Sequence, residues 1–441
     1  MRRELAYIDA MPSLKSALYL TTEFPFPPTS GGRVRSFAQL SLLSDMMEQI
    51  DVMSVYEENE PATLRDAAAL RQRLPNVRTV APVFHPIHLR QHPRAVSRVL
   101  AKRALGLPYL AAKWDSPKIK RSLVQWAKSN KPDLVYIDHV GMAIYLPLLR
   151  ALFPDAPVVL EEHNVESDFF AGFVKDAPTW FKPVAQLEAY TARAFETKML
   201  RDVDSVVAIS DEDARSFARM ANITSTVVPQ RVEPSDARGY APIDGEVMYV
   251  GNLGWHANVR GLDWFFAEVW QKAMALQPNL RLSLIGSGAK KRSDGRLDLP
   301  DAWFTQGVNV LGFVENLDPH YERAAALIAP VVGDMGVRMK LLGAMAAGVP
   351  VVTTRDGAAG LPLQDKLQLD VTDDPDEFAR RLVAVAMNPE LGAQRREAAF
   401  EFLRVHHSNH AAIAAMTQVF ERARVVHAAR RGTPSSIVRG V

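Results

Sequence analysis

Residues 329–361 read APVVGDMGVRMKLLGAMAAGVPVVTTRDGAAGL. An apolar strand end runs into a glycine turn at Gly333 and Gly336, a short helical stretch follows, and Gly348-Val349-Pro350 leads into a second β-branched run. The segment is therefore a strand–helix–strand unit of a parallel sheet. A strand–glycine–helix junction presents free backbone N–H groups and the positive end of a helix dipole. Arg338 and Lys340 add two full positive charges near the first helical turn. Cations there are mildly unfavourable until an anion arrives, so their placement points to a phosphate-bearing ligand.

The same alternation extends in both directions. Upstream lie ALYLTT (17–22), IDVMSVY (50–56), DLVYID (133–138), PVVLEEH (157–163), SVVAIS (205–210) and TVVP (226–229), each reading as a buried strand. Stretches with helical spacing separate them, RVRSFAQLSLLSDM and AQLEAYTARAFETKML among them. After residue 229 the text turns to QRVEPSDARGYAPIDG, a linker rich in Pro, Gly and charge. A second series then begins with VMYVGN (247–252), LRLSLIGSG (280–288), VNVLGFV (308–314), ALIAPVV (326–332), VPVVTT (349–354) and LQLDVT (367–372). The expected fold class is α/β, with two Rossmann-like domains facing each other across a cleft. The first domain is expected over 1–235 and the second over 236–405, and the helix-like segment 408–430 can pack back on the first.

The 441 residues are 48% hydrophobic, enough for a core in each domain. Cysteine is absent, which excludes disulfide scaffolds, Cys-ligated metals and thiol nucleophiles. No signal peptide is evident, and no apolar run reaches the length of about 18 residues that spans a bilayer. The expectation is a cytoplasmic protein, at most peripheral at the inner face of a membrane.

GVRMKLLGAMAAGVPVVTT (336–354) resembles the donor-binding segment of the retaining nucleotide-sugar glycosyltransferases of family four, which have the GT-B fold. FPPTSGGRVR (26–35), EEHNVES (161–167), VVAIS (206–210), YVGNLGWHANVRGLDWF (249–265) and LIGSG (284–288) extend the resemblance over nearly the whole chain. It implies a nucleotide-diphosphate sugar held mainly by the C-terminal domain, a saccharide or lipid-linked acceptor held mainly by the N-terminal one, and transfer with retention. No further cofactor is implied. Arg338 and Lys340 match basic residues that face the donor diphosphate, where fixed cations stabilise the charge on the departing oxygen. His163 matches a histidine that faces the transferred sugar and orients it, and Glu166 is expected to take an orienting part beside it. Gly31, Gly32, Gly251, Asn252, Arg260, Gly286, Ser287, Phe313, Val314, Gly336, Val337 and Leu341 complete the expected donor site. With no Asp-x-Asp pair in view, the expected chemistry needs no metal.

Four positions depart from the family. Gly343 and Met335 stand where relatives carry glutamates, Ala359 where they often do, and Asn252 where many have an arginine. A lost charge-assisted hydrogen bond costs roughly 1.5–3 kcal/mol, or roughly 10- to 150-fold in affinity. Arg260 and Asp334 are the nearest candidates to compensate. The alternative reading is a non-catalytic GT-B protein that binds a partner glycosyltransferase or a glycan.

Residues 90–131 hold eleven Lys and Arg against one acid, Asp115, a local charge of +10 in a chain whose total is +2. Arg94, Arg98, Lys102 and Arg103 lie on an expected helix with Trp114 nearby. This is the expected patch for an anionic membrane surface or a lipid-diphosphate acceptor. No nucleic-acid module accompanies it, so nucleic acid is not an expected partner. His406, His407 and His410 read as surface residues, and WFFAEVW (264–270) as core.

Overall fold

A computed structural model of the chain describes residues 14–28, 31–56, 60–80, 83–86, 92–235, 239–290, 292, 297–332 and 339–432. The chain forms two compact units. One comprises Met1–Gln230 with His410–Val441, and the other Arg231–Asn409. Residues 231–235, expected in the first domain, belong to the second: the Val232 N–H donates to the His407 carbonyl and the Ser235 N–H to that of Ala346.

Among the described residues, eight strands build the sheet of the first unit: β1 (Ser16–Thr21), β2 (Gln49–Tyr56), β3 (Val77–Thr79), β4 (Val83–Phe84), β5 (Leu134–Asp138), β6 (Val158–Glu161), β7 (Ser205–Ala208) and β8 (Thr226–Val227). Their order is β3-β2-β1-β5-β6-β7-β8, with β4 paired to β2. Six strands among the described residues build the second: β9 (Ile243–Val250), β10 (Arg281–Ile285), β11 (Val308–Gly312), β12 (Ala324–Ala329), β13 (Val351–Thr353) and β14 (Asp370–Val371). They run β11-β10-β9-β12-β13-β14. Both sheets are parallel, and both reverse strand order beside their first strand, which is the doubly wound Rossmann arrangement.

Alternation along the strands loads both faces of each sheet. In β1, Ala17 and Tyr19 join one apolar cluster while Leu18 and Leu20 join the other. In the second unit Val247 and Tyr249 face one cluster and Met248 the opposite one. Helices cover both sides, which is why the strands read as unbroken apolar runs. The segment 264–270 is core, with Phe265, Val269 and Trp270 inaccessible to solvent. His407, expected at the surface, is buried against Phe402.

The helix Asn409–Arg430 returns to the first unit. Its Ala412, Met416, Val419 and Ala423 enter the cluster that holds Tyr19 and Val52. Asp204, whose side chain is inaccessible to solvent, fixes its far end: Arg150 donates to both carboxylate oxygens at 2.8 and 2.9 Å, and Arg430 approaches at 3.3 Å.

In the second unit, helix His256–Trp264 lies hard against the carboxyl end of β12, so close that a Cβ on Gly261 would sit 1.9 Å from the Pro330 carbonyl oxygen. Backbone cannot yield as a flexible side chain would. Gly261→Ala is expected to cost about 1–3 kcal/mol, lowering the melting temperature of this unit by about 3–10 °C. An unchanged melting curve would show that the helix can move away at no cost.

Candidate functional site

In open parallel sheets, ligands gather at the carboxyl ends of the strands where the order reverses. In the first unit that point lies between β1 and β5. There Thr21, Asp138 and Glu161, the last residues of β1, β5 and β6, stand in register as one row. The Thr21 hydroxyl donates to Asp138 Oδ2 at 2.7 Å, and His163 Nε2 meets Asp138 Oδ1 at 2.5 Å. Behind them Arg35 Nε donates to Glu161 Oε1, and the Tyr136 hydroxyl donates to Oε2, both at 2.7 Å. Tyr19 stacks on Tyr136 with centroids 5.3 Å apart and closes the floor.

Burial shapes the charges. For Asp138, burial pushes the carboxyl up, but His163 and the hydrogen bonds of the site outweigh it and bring it down to about 2. Burial alone would lower His163; Asp138, with Glu161 behind it, holds it above its ordinary value. Glu161 is raised by burial despite Arg35.

A second histidine stands beside this pair. His139 has a positive φ of 86°, a conformation that non-glycine residues seldom adopt and that marks functional turns. Its Nδ1 accepts from the Gly141 N–H at 3.1 Å, which assigns the proton to Nε2, and Nε2 donates to Glu166 Oε1 at 3.1 Å. The two imidazoles meet edge to face at 5.8 Å. Glu166, which the sequence marks as an orienting residue, thus acts through His139. Glu196 caps the helix Glu166–Asp176 by accepting from the Glu166 and Ser167 N–H groups, and burial raises its carboxyl to about 7.

Asp138, Glu161 and His163 also form a metal-type cluster, with ligand atoms within 4.8 Å of one another. Their hydrogen bonds already engage Asp138 Oδ1, His163 Nε2 and both oxygens of Glu161, and the Arg35 guanidinium sits where an ion's charge would be repelled. The donor set therefore does not suit a cation.

In the second unit the order reverses between β9 and β12. The turns after β9 and β10 touch backbone to backbone: a Cβ on Gly286 would lie 1.6 Å from the Gly251 carbonyl oxygen, and one on Gly288 2.0 Å from Asn252 Oδ1. The Leu253 N–H donates to the Ser287 carbonyl at 2.7 Å. Asn252 Oδ1 itself accepts from the Gly254 N–H, so this side chain shapes the turn. Beside Gly251 lies Lys340, from the first turn of helix Met339–Ala346. Its Nζ donates to the Tyr249 hydroxyl at 3.1 Å and to Asn258 Oδ1 at 3.0 Å, and lies 4.5 Å over the Tyr249 ring. Asn258 Nδ2 in turn donates to the Asn252 carbonyl at 2.9 Å.

The other expected positions divide. Phe313 is 64% exposed beyond β11, whereas Val314 is partly buried against the core. Arg260 is exposed on its helix; Asn258, two residues earlier, is the residue that reaches Lys340. Leu341 is fully buried, so only its backbone remains for a ligand. At Gly31 and Gly32 the space a Cβ would take is open. Gly336, Val337 and Arg338 lie outside the described residues, as do Gly333, Asp334 and Met335.

The basic patch needs correction. Trp114 is buried, packed over Gly141, where its indole would collide with any side chain, so it cannot face a membrane. Lys102 is held by Asp115 together with Lys120, and Arg103 by Glu188, so these two cations are spent within the fold. Arg94 is exposed, and the Arg98 Nε and Nη2 are buried without a hydrogen-bond partner.

Asp138→Asn should drop the His163 pKa below its ordinary value of about 6.5, because burial, with Arg35 behind it, then outweighs the remaining pull of Glu161. A raised histidine stabilises fully below about pH 6.5 and loses that contribution as pH rises through its folded value. Asp138, depressed, stabilises above about pH 3.9 and loses its contribution as pH falls toward 2. The stability gap between wild type and variant should therefore be widest between about pH 4 and 6.5. Urea unfolding across that range, with imidazole titration by NMR, checks both; a flat gap would detach the histidine from Asp138.

The chain matches known families in both units. Residues 67–235 match the glycosyltransferase family 4 and residues 244–388 the glycosyl transferases group 1. An uncharacterized 44.6 kDa protein in the cps region of Klebsiella pneumoniae is 22% identical over 377 residues, covering 84% of this chain and 91% of that protein. Among solved structures, HepE of Anabaena in complex with UDP and glucose is similar with a TM-score of 0.58 at 12% identity. Sucrose-phosphate synthase of Thermosynechococcus elongatus is similar with a TM-score of 0.63 at 16% identity. TarM of S. aureus, as a variant in complex with Fondaparinux, alpha-GlcNAc-glycerol and UDP, gives 0.64 at 10% identity. Each likeness covers 92% of this chain and 99% of the other. With a glycosyltransferase family matched to each of its two parallel-sheet units, the chain belongs to the glycosyltransferases of the GT-B fold.

Proposed function

We propose that the chain transfers a sugar, with retention at the anomeric carbon, from a nucleoside-diphosphate donor to a saccharide or lipid-linked acceptor. The observation that carries this reading is Lys340, fixed by Tyr249 and Asn258 at the glycine turn where β9 ends. HepE and TarM, similar in fold, are solved with UDP. Departure of the nucleoside diphosphate breaks the anomeric C–O bond and leaves negative charge on a phosphate oxygen. The ammonium group stabilises that charge, and Arg338 is its proposed partner. The acceptor oxygen forms the new C–O bond, and its proton passes to the leaving phosphate oxygen, so no protein base is required. His163, locked by Asp138, orients a sugar hydroxyl, and His139 supports its ring. Gly251, Asn252, Gly286, Ser287 and Phe313 are the proposed donor contacts.

The absent carboxylate at position 343 favours a second reading, in which a nucleotide is no longer held. Gly343 lines a cavity of about 220 Å³ whose wall includes Glu233, Asp318 and Glu322, so carboxylates from other segments surround the place left vacant. Calorimetric titration with UDP, GDP and ADP separates the readings: no binding at millimolar nucleotide favours the non-catalytic one.

Lys340→Ala is expected to lower sugar transfer about 100-fold or more, read as nucleoside diphosphate release over a panel of sugar nucleotides. Wild-type turnover in this variant would remove Lys340 from the chemistry. Chelation should leave the rate unchanged, since the one metal-type cluster among the described residues is engaged in internal hydrogen bonds; loss of turnover with a chelator would overturn metal independence.

A further inference from the structure

We propose that Glu162 is a positioning residue of the transfer reaction, an inference that rests on the reading of His163 as the residue that orients the sugar. By accepting the Val140 N–H, Glu162 holds the turn on which His139 stands, and His139 in turn keeps the His163 ring in place. Strand β5 ends at Asp138, and the His139 N–H still donates to the Glu161 carbonyl at 2.9 Å. The positive φ of His139 then takes the chain out of the sheet and into the 3-10 turn Val140–Tyr145. Val140 follows the last residue of the strand ladder, and its N–H donates to Glu162 Oε2 at 3.3 Å. The Gly141 N–H goes to His139 Nδ1 at 3.1 Å. Side chains thus hold the first two amides of the turn, and one of these side chains is the imidazole itself.

Packing alone does not account for this carboxyl. Glu162 is 1% exposed, and its Oε1 has no hydrogen-bond partner. The charges that bear on it most are carboxylates, one from each of three helices: Glu196 from Lys182–Asp202, Glu166 from Glu166–Asp176 and Asp213 from Asp211–Ala221. Burial and these neighbours raise its carboxyl well above the usual range, so Glu162 stands as a neutral acid whose Oε2 accepts the amide. A buried polar atom left without a partner is costly, and a leucine or methionine of similar size would fill the space without that loss. Neither could accept the Val140 N–H, which would then be buried and unpaired in its turn. The His139 ring is consequently held on three sides, by Gly141 at Nδ1, by Glu166 at Nε2 and by the edge-to-face contact with His163. Any change in the turn is passed directly to the ring that faces His163.

Three variants of the full chain test this. Glu162→Gln keeps a neutral acceptor oxygen and should retain kcat/KM within about twofold of wild type. Glu162→Leu keeps most of the volume without the acceptor, and kcat/KM for sugar transfer should fall about 10- to 100-fold. Val140→Pro removes the same hydrogen bond from the donor side. Proline suits the first residue of a helical turn, and the ψ of 131° at His139 suits the residue before it. This variant should lose activity to a similar extent, and it decides the question if the leucine variant does not fold. In NMR spectra of the imidazoles, the leucine and proline variants should shift the His139 and His163 signals, and the glutamine variant should leave them as in wild type. Wild-type turnover with unmoved imidazole signals in the folded leucine or the proline variant overturns the proposal. So does a glutamine variant as impaired as the leucine one, which would assign the role to the carboxyl proton and not to the acceptor. The rise in melting temperature with UDP, expected in every variant, reports the proposed donor site separately. Absence of turnover in the wild type would defeat the transfer reading, and the imidazole signals would still decide whether Glu162 positions the histidines.

Discussion

Glu161 has no exposed surface, and it is tolerated there because Arg35 reaches it. A buried carboxylate without a partner costs several kcal/mol, so the pair stands or falls together. Arg35 also donates to the Val228 carbonyl and to Gln230, so one guanidinium joins the first long helix, the end of β6 and the stretch where the chain leaves the first unit. Asp138 lies in the same register row as Glu161. With Arg35 removed, two carboxylates would face each other across adjacent strands, and the field that sets the protonation of His163 would change. The conformation of the switch point and its electrostatics thus have a common origin.

The second unit reaches a comparable result by other means. There the strand ends are shaped by the close approach of backbone segments, possible only because Gly251, Gly261, Gly286 and Gly288 lack side chains. Tyr249 and Asn258 hold Lys340 through neutral oxygens and so help to fix its position.

The sheet architecture was legible because buried parallel strands are apolar on both faces, and twelve of the fourteen strands overlap apolar runs visible in the text. β3 and β4 escaped notice: three and two residues long, they lie in NVRTVAPVFHP, where prolines and charges break the pattern. The site was read less well. Lys340 was marked by its charge at a glycine–helix junction and His163 by the family resemblance, whereas Asp138, Glu161 and His139 carry a local signal that passed unused, a charged or imidazole side chain at the end of an apolar strand. Asn258 offered no such signal, since only the fold brings its helix to Lys340. Trp114 was misplaced because a sum of charge along a segment says nothing about which side chains turn inward.

The last helix also governs the order in which this protein can be made. The core of the first unit includes Ala412, Met416 and Ala423, and these residues lie beyond the whole of the second unit in the chain. On the ribosome, the second unit can therefore close as soon as it emerges, while the first, although synthesised earlier, waits with part of its apolar surface unfilled. Transient protection of that surface by a chaperone, or by early association with another surface, becomes part of the protein's folding problem.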